Sequence, residues 1–142
     1  MVVVDGKGVP LGKHLGSASP AEVKLAEITL ASIRVPNRQR RGRSRQKPQR
    51  LIADKAYDSD PFRQRLKKRG IELIVPYRSN NKHRRYEDGR KLRRYKRRWI
   101  IERTNAWFGQ FRRLLVRHEH LIATYRAFFY LACFWITLRR CL

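Results

Sequence analysis

Two carboxylates in this 142-residue chain stand where a metal-dependent reaction could use them. Asp54 follows the apolar run Leu51-Ile52-Ala53, which is typical of a short buried strand, and Glu102 lies in a segment with helical periodicity. Counted at about 100° per residue, the apolar side chains of that segment fall roughly 120° or more from Glu102. They are Ile100, Trp107, Phe108, Phe111, Leu114 and Leu115. Glu102 is therefore predicted to face away from the core, where it could join Asp54 in binding Mg²⁺ or Mn²⁺ through oxygen.

Each acid also has an ordinary structural interpretation. An Asp at the end of a strand often caps the next helix or binds loop amides. Glu102 can form an ion pair with Arg98 four residues earlier, which is worth only a few tenths of a kcal/mol. The sequence leaves these alternatives open. The placement of both acids at positions suited to metal-assisted phosphodiester chemistry favours the metal site.

The charge of the chain points to a polyanionic partner. Lys and Arg number 35 against 11 Asp and Glu, so the formal net charge is +24. A compact body with this charge repels itself unless a polyanion neutralises it, and nucleic acid does so with release of counterions. Because 42% of the residues are hydrophobic, the chain is not a disordered basic tail. Two basic loops, 34–50 and 78–94, are predicted to contact phosphates; an anionic membrane surface or a ribosomal-type structural role is the alternative.

The pattern of elements predicts a single domain over residues 1–142. Strands alternate with helices, which indicates an α/β sheet covered by helices, and chemistry in such sheets lies at the carboxyl ends of strands. Asp54 occupies such an end. The predicted order is a hairpin of 2–4 and 9–17, a helix from Ser19-Pro20 to before Pro36, a strand at 51–53, a helix at 58–69, a strand at 71–77, one long helix at 91–117 and a last helix at 121–140.

The most apolar segment, 127–138, is too short to span a bilayer. The first residues also lack the pattern of a signal peptide. We therefore expect a cytoplasmic protein without a membrane partner.

Two segments resemble a known family. Leu51-Ile-Ala-Asp-Lys-Ala-Tyr-Asp-Ser-Asp60 is similar to the second-Asp region of bacterial insertion-sequence transposases of the DDE class, of the insertion-sequence-four/five type. In the segment 95–114, Tyr95, Arg98 and Glu102 match the family's Tyr-x-x-Arg-x-x-x-Glu signature residue by residue. The hairpin segment Val-Asp-Gly-Lys-Gly-Val-Pro-Leu resembles the family's second and third strands. The resemblance thus covers nearly the whole chain.

The resemblance implies a ribonuclease-H-like mixed sheet flanked by helices and a two-metal site for DNA strand cleavage and transfer. Asp54 and Glu102 would be the second and third catalytic carboxylates and the metal ligands. The family's first catalytic Asp lies on a strand that precedes the hairpin, whereas this sequence begins at the hairpin. Asp5, in the turn of the hairpin, does not match that Asp. The family's frequent basic residue after the Glu is also replaced, since Gly109 and Gln110 are not basic.

We therefore expect the C-terminal part of a transposase, incomplete at the N-terminus and inactive alone, as a truncated copy or a frameshift partner. Its expected partners are DNA, an upstream transposase segment and further copies of itself on DNA. The alternatives are a non-catalytic basic DNA-binding fragment and an RNA-binding structural protein. The residues expected to contact DNA are Tyr95, Arg98, Arg78, Arg84, Arg85, Arg41 and Arg43.

Overall fold

The computed structural model describes residues 1–16, 22–35, 46–81 and 89–141. It confirms a mixed α/β architecture. In chain order the regular elements are β1 (Val2–Val4), β2 (Pro10–Lys13), α1 (Glu22–Ala31), β3 (Arg50–Ile52), α2 (Asp60–Lys68), β4 (Glu72–Ile74), α3 (Gly89–Leu92), α4 (Trp99–Phe108), α5 (Arg112–Leu115) and α6 (Ile122–Cys141), with 3-10 helices at Lys55–Tyr57 and Arg93–Arg98. The predicted cap Ser19-Pro20 and most of the first basic loop lie outside the described residues.

The opening hairpin is confirmed. Strands β1 and β2 pair antiparallel, with Val3 opposite Gly12. The turn is closed by Asp5, whose Oδ1 accepts hydrogen bonds from the backbone N–H groups of Lys7 and Val9. The second strand is shorter than the predicted 9–17, because β2 ends at Lys13.

Strands β3 and β4 form a parallel pair joined by the crossover helix α2, with Leu51 opposite Leu73. This unit confirms the predicted alternation of strand and helix. Within the described ranges, no ladder joins this pair to the hairpin, so the strands form two two-stranded sheets rather than one mixed sheet. The predicted strand 71–77 is also reduced to the three residues of β4.

One core serves both sheets. Its centre is formed by α1 and α2, where Leu30, Phe62 and Leu66 are almost fully buried. Val3 from the hairpin and Leu51 from the parallel pair both pack against this cluster. Helices α1 and α2 therefore hold the two sheets together although no backbone ladder does.

The single long helix predicted at 91–117 is wrong. The segment is divided into α3, a 3-10 helix, α4 and α5, and the chain is extended at Phe111, with φ −92° and ψ 98°. Gly109, a weak helix former, ends α4. The break lets α5 fold back toward α6, where the Tyr125 hydroxyl donates to Leu114 O at 3.0 Å. As a result Leu115 is 66% exposed instead of facing the core.

Helix α6 matches the predicted last helix within one residue at each end. Its buried side comprises Phe129, Ala132, Cys133 and Ile136. None of the helices in the described part of the chain combines the length and the apolarity needed to cross a membrane.

Candidate active site

Asp54 lies just beyond the end of β3, in the extended conformation, with φ −72° and ψ 163°. Its Oδ1 accepts a hydrogen bond from Lys55 N, so the carboxylate caps the 3-10 helix Lys55–Tyr57. The capping role that the sequence left open is therefore real for one oxygen. The side chain is 53% exposed, and its Oδ2 lies 3.1 Å from Nη1 of Arg98.

Glu102 lies in the first turn of α4 with its side chain 54% exposed. Its Oε1 is 2.7 Å from Nη2 of Arg98, which is the helical ion pair that the sequence also left open. The same guanidinium contacts Asp54 through its other terminal nitrogen. One arginine thus bridges the two predicted acids, and the structure brings together side chains from a strand end and a helix distant in sequence.

Tyr95 completes this cluster. The Arg98 guanidinium carbon is 5.7 Å from the centre of the Tyr95 ring. Burial raises the pKa of the Tyr95 phenol; Arg98 opposes this effect, and the negative charges of Asp54 and Glu102 add to it. The four side chains, Asp54, Tyr95, Arg98 and Glu102, are called the acidic-pair site below.

The position of α4 depends on the turn of the hairpin. Thr104 is fully buried, and its hydroxyl donates to Gly8 O at 2.9 Å. Gly8 has φ +86°, and a Cβ at this residue would lie 2.8 Å from Thr104 Oγ1. Only glycine suits both the conformation and the close approach. Nothing in the sequence marks Thr104, because a lone threonine within a helical segment carries no signal of burial.

A second carboxylate in the same loop, Asp58, was also missed as a site residue. Its side chain is 1% exposed, and Oδ1 lies 3.0 Å from Nη2 of Arg63. Oδ2 accepts hydrogen bonds from Arg78 N and from the side-chain amide of Asn81. Burial on its own raises the pKa of Asp58, but these hydrogen bonds and the charge of Arg63 hold the pKa below its ordinary value. Asp58 fixes the loop that carries Asp54.

Arg78, predicted to bind DNA, holds this loop as well. Its Nε donates to Lys55 O at 2.9 Å and its Nη2 to Ala56 O at 2.7 Å. The guanidinium is therefore engaged with the 3-10 helix that Asp54 caps. Besides Arg78 and Arg98, four arginines are predicted to bind DNA, and all four lie outside the described residues: Arg41, Arg43, Arg84 and Arg85.

A cleft of about 600 Å³ separates β1 from β3 and opens beside the acidic-pair site. Every residue of both strands lines it, together with Asp54 and Glu102. Successive side chains of a strand point to opposite faces of the sheet, so a strand that lines a cleft by one face contributes only every second residue. Because every residue of β1 and β3 lines the cleft, each strand presents its edge to it. Within the described ranges no further strand pairs with either edge, so the two sheets face each other across the cleft with unpaired edges.

Comparison with known proteins identifies the family. The model of the transposase DDE domain matches residues 1–136, nearly the whole chain. The chain belongs to the DDE transposase family. This DDE transposase chain is also 38% identical over 142 residues to a protein of Burkholderia cepacia assigned as the transposase for insertion sequence element IS402. The alignment covers 98% of this chain but 63% of that relative, so the chain spans less than two thirds of the relative's length. No solved structure matches the chain.

The acidic-pair site of this transposase chain has the donor atoms that a hard cation needs. Mg²⁺ is commonly held by one or two carboxylates with substrate phosphates and water completing its shell. Asp54 and Glu102 fit that pattern through exposed oxygens. In the described part of the chain, no three His, Cys, Asp or Glu side chains come together as a metal site. Asp54 and Glu102 thus have no third such side chain grouped with them in that part of the chain.

Proposed function

We propose that this chain is the DNA-binding C-terminal part of a DDE transposase, acting in DNA transposition by metal-dependent strand cleavage and transfer when complete. The observation that carries the proposal is the bridging of Asp54 and Glu102 by the single guanidinium of Arg98. A ribonuclease-H-like fold is supported by an antiparallel hairpin beside a parallel strand pair, with Asp54 immediately after β3.

Asp54 and Glu102 would hold Mg²⁺ or Mn²⁺, which when bound supplies Lewis-acid stabilisation of the phosphodiester and activation of the attacking nucleophile. Lys55 N orients the Asp54 carboxylate through Oδ1 and leaves Oδ2 directed to the shared site. Arg98 suits a phosphate as well as a carboxylate, because its planar donors match both anions. We propose that it passes from the acids to the backbone of bound DNA.

The two acids leave a charge deficit. Two divalent ions bring four positive charges, whereas one DNA phosphate and two carboxylates bring three negative ones, and nearby arginines oppose metal binding further. Arg94, Arg97 and Arg98 all line the cleft beside the acids. A third carboxylate is therefore required for tight binding. We propose that an upstream transposase segment brings it.

The cleft between β1 and β3 is where that segment would dock. Met1 and His14 form a hydrogen-bonded pair, since each donates its N–H to the carbonyl oxygen of the other. In an antiparallel strand every second residue bonds to the partner strand, so the backbone groups of Val2 and Val4 point away from β2. On the other side, Ala53 N donates to Ile74 O within the parallel ladder, which leaves the backbone groups of Ile52 directed away from β4. An extended segment between the two edges could pair with both and would pass the acidic-pair site.

A cleavage assay tests the catalytic proposal. DNA carrying the element's ends would be incubated with Mg²⁺ or Mn²⁺ and either this chain alone or this chain extended by the upstream segment. We expect cleavage only with the extended protein, and loss of cleavage in Asp54→Asn and Glu102→Gln. Glu27→Gln, which changes an acid in a surface ion pair with Arg65, is the control and should keep activity.

Undiminished cleavage by the extended protein carrying Glu102→Gln would refute the acidic-pair site as the catalytic site. Cleavage by this chain alone, abolished by Glu102→Gln, would make Asp5 the candidate for the first carboxylate, since Asp5 lines the same cleft.

DNA binding is proposed to be sequence-tolerant and steeply dependent on salt. Tyr95, Arg98 and the two basic loops would contact the backbone; with six or more phosphates bound, affinity should fall about a thousandfold or more between roughly 50 and 200 mM salt. Replacing Arg84 and Arg85 should reduce the slope without altering sequence preference. Arg78 is replaced separately, because its guanidinium also holds the 3-10 helix. A flat salt titration would contradict this proposal.

A non-catalytic DNA-binding fragment is the second candidate, favoured by the fact that Arg98 already forms an ion pair with each of the two acids. In that case the extended protein would bind DNA. Neither its binding of Mn²⁺ nor any cleavage of DNA would depend on Glu102. In either case we propose a cytoplasmic protein that forms a homo-oligomer on DNA. Leu131 and Phe134 on α6, 61% and 62% exposed, support self-association. Light scattering with and without DNA measures the assembly.

A further inference from the structure

Four side chains form a stack of alternating rings and cations along α4. Arg103 lies over both of its helical neighbours: its guanidinium carbon is 4.6 Å from the ring centre of Trp99 and 4.9 Å from that of Trp107. Arg140, from the end of α6, lies 4.0 Å from the ring centre of Trp107. The spacing of four residues places Trp99, Arg103 and Trp107 on one face of the helix.

Within this stack, Arg103, Trp107 and Arg140 have a structural role that does not need Trp99. Arg103 Nη2 donates to Lys7 O at 2.9 Å, which ties α4 to the hairpin turn. Trp107 is partly buried, and two cations, Arg103 and Arg140, contact its ring. Trp99 is at the outer end of the stack and is 51% exposed. Arg103 supports one face of its ring, and the exposure leaves room for a further planar group.

Trp99 also lies next to the acidic-pair site. It directly follows Arg98, which contacts both carboxylates, and precedes Glu102 by three residues. Three residues correspond to about 60° around a helix and less than one turn along it, so Trp99 and Glu102 project side by side from α4. A DNA strand whose phosphate reaches Arg98 would bring its bases near this indole.

We propose that Trp99 is a stacking site for an unpaired nucleobase of the DNA strand held at the acidic-pair site; this rests on the proposed function in DNA processing. Indole rings stack on every base, because each base has a flat π-face, and such contacts occur in binding of single strands without sequence preference. Arg103 keeps the indole plane fixed from behind, so little freedom is lost when a base stacks on it. Trp99 thereby favours DNA that is unpaired at the position of cleavage.

The experiment uses a single-stranded oligonucleotide containing 2-aminopurine, whose fluorescence falls when it stacks on an aromatic ring. The paired variants are Trp99→Phe, which keeps a ring, and Trp99→Leu, which keeps apolar bulk without one. The wild-type protein is expected to quench the probe, Trp99→Phe to quench it in part, and Trp99→Leu not to quench it. Affinity for the single strand should fall about tenfold in Trp99→Leu, with an unchanged salt slope because no charge is removed.

Tyr130→Leu is the matched control. Tyr130 is likewise an exposed aromatic residue, 42% exposed, with a cation, Lys13, 4.1 Å from its ring centre. Unlike Trp99, which directly follows Arg98 and starts the helix that carries Glu102, Tyr130 lies on α6, so quenching should stay at the wild-type level. Thermal melting of each variant verifies that the fold is retained.

The outcomes separate this inference from the proposed function. Equal quenching by Trp99→Leu and wild-type protein overturns the stacking site, and so does equal quenching by Tyr130→Leu and Trp99→Leu. Steep, salt-dependent duplex binding without any quenching by the wild type also overturns it, while DNA binding as proposed stands. Loss of all DNA binding in the wild type overturns both.

Discussion

Asp54 and Asp58 are four residues apart in one loop, yet the structure treats their charges differently. Asp58 is 1% exposed, and hydrogen bonds from three residues, Arg63, Arg78 and Asn81, satisfy its two oxygens. Asp54 is 53% exposed, with one oxygen on Lys55 N and the other on the partly exposed Arg98. The charge of Asp58 stabilises the fold, and both of its oxygens are bound within the protein. One oxygen of Asp54 is held only by a side chain that can move away, so it remains available to a ligand.

The largest expected effect is the loss of the buried charge. Asp58→Asn keeps the size of the side chain but leaves Arg63, 8% exposed, without its ion-pair partner. Removing one member of a buried pair costs about 3–5 kcal/mol. Asp54→Asn should change the free energy of unfolding by no more than about 1 kcal/mol, because exposed ion pairs contribute little. Urea unfolding of both variants measures the difference; equal losses would remove the distinction between the two acids.

The next effect concerns Glu102, whose helix is docked through Gly8. Gly8→Ala forces a side chain into a backbone with φ +86° and places its Cβ 2.8 Å from Thr104 Oγ1. We expect a loss of about 1–3 kcal/mol in stability, as for other overpacked positions. Gly89→Ala is the control, since a Cβ there meets no atom within 4 Å. Thermal unfolding of both variants provides the test, and a stable Gly8→Ala would show that the turn does not fix α4.

The sequence identified the acidic-pair site better than the elements that build it. Asp54, Tyr95, Arg98 and Glu102 follow from a strand-end position and a three-residue signature, and the structure brings all four together. The hairpin, the strand-helix-strand unit and α6 could be predicted because their periodicity and turn residues are local. Whether the four residues act in catalysis stays a prediction.

The features that the sequence did not predict depend on distant contacts. The apolar periodicity continues beyond Gly109, so it cannot reveal that the chain bends at Phe111 to bring α5 toward α6. The partners of Asp58 come from α2 and from the segment after β4, and no pattern in one segment contains them. The 3-10 helix Lys55–Tyr57 is only three residues long, which is too short for a periodic signal.

Acid titration tests a smaller effect, the contribution of the ionised Asp58 to stability. The folded-state pKa of Asp58 is below its ordinary value of 3.8, so its ionised form stabilises the fold above that value. This contribution is lost as the pH falls from 3.8 through the lowered pKa, at about 1.4 kcal/mol per pKa unit of difference. Free energies of unfolding measured across this range should decline in the wild type and in Asp54→Asn. The decline should be shallower in Asp58→Asn; identical curves for all three proteins would assign the acid sensitivity to other groups.

The smallest effect tests whether Arg98 competes with a metal ion for the acidic pair. Arg98 lies 3.1 Å from Asp54 and 2.7 Å from Glu102, so a cation binding both acids must displace it or bind beside its charge. Arg98→Gln should therefore strengthen Mn²⁺ binding to this chain. Because exposed ion pairs are worth about 0.2–1 kcal/mol, the gain should be only about two- to fivefold.

Arg97→Gln is the matched control, since Arg97 also lines the cleft and has no ion pair with either acid among the described residues. It should raise Mn²⁺ affinity less than Arg98→Gln does, through the general reduction of positive charge. Glu102→Gln in the Arg98→Gln background should abolish the gain, because it removes one of the two ligands. Titration calorimetry gives the affinities. If Arg98→Gln weakens Mn²⁺ binding instead, Arg98 orients the two carboxylates for the ion rather than competing with it.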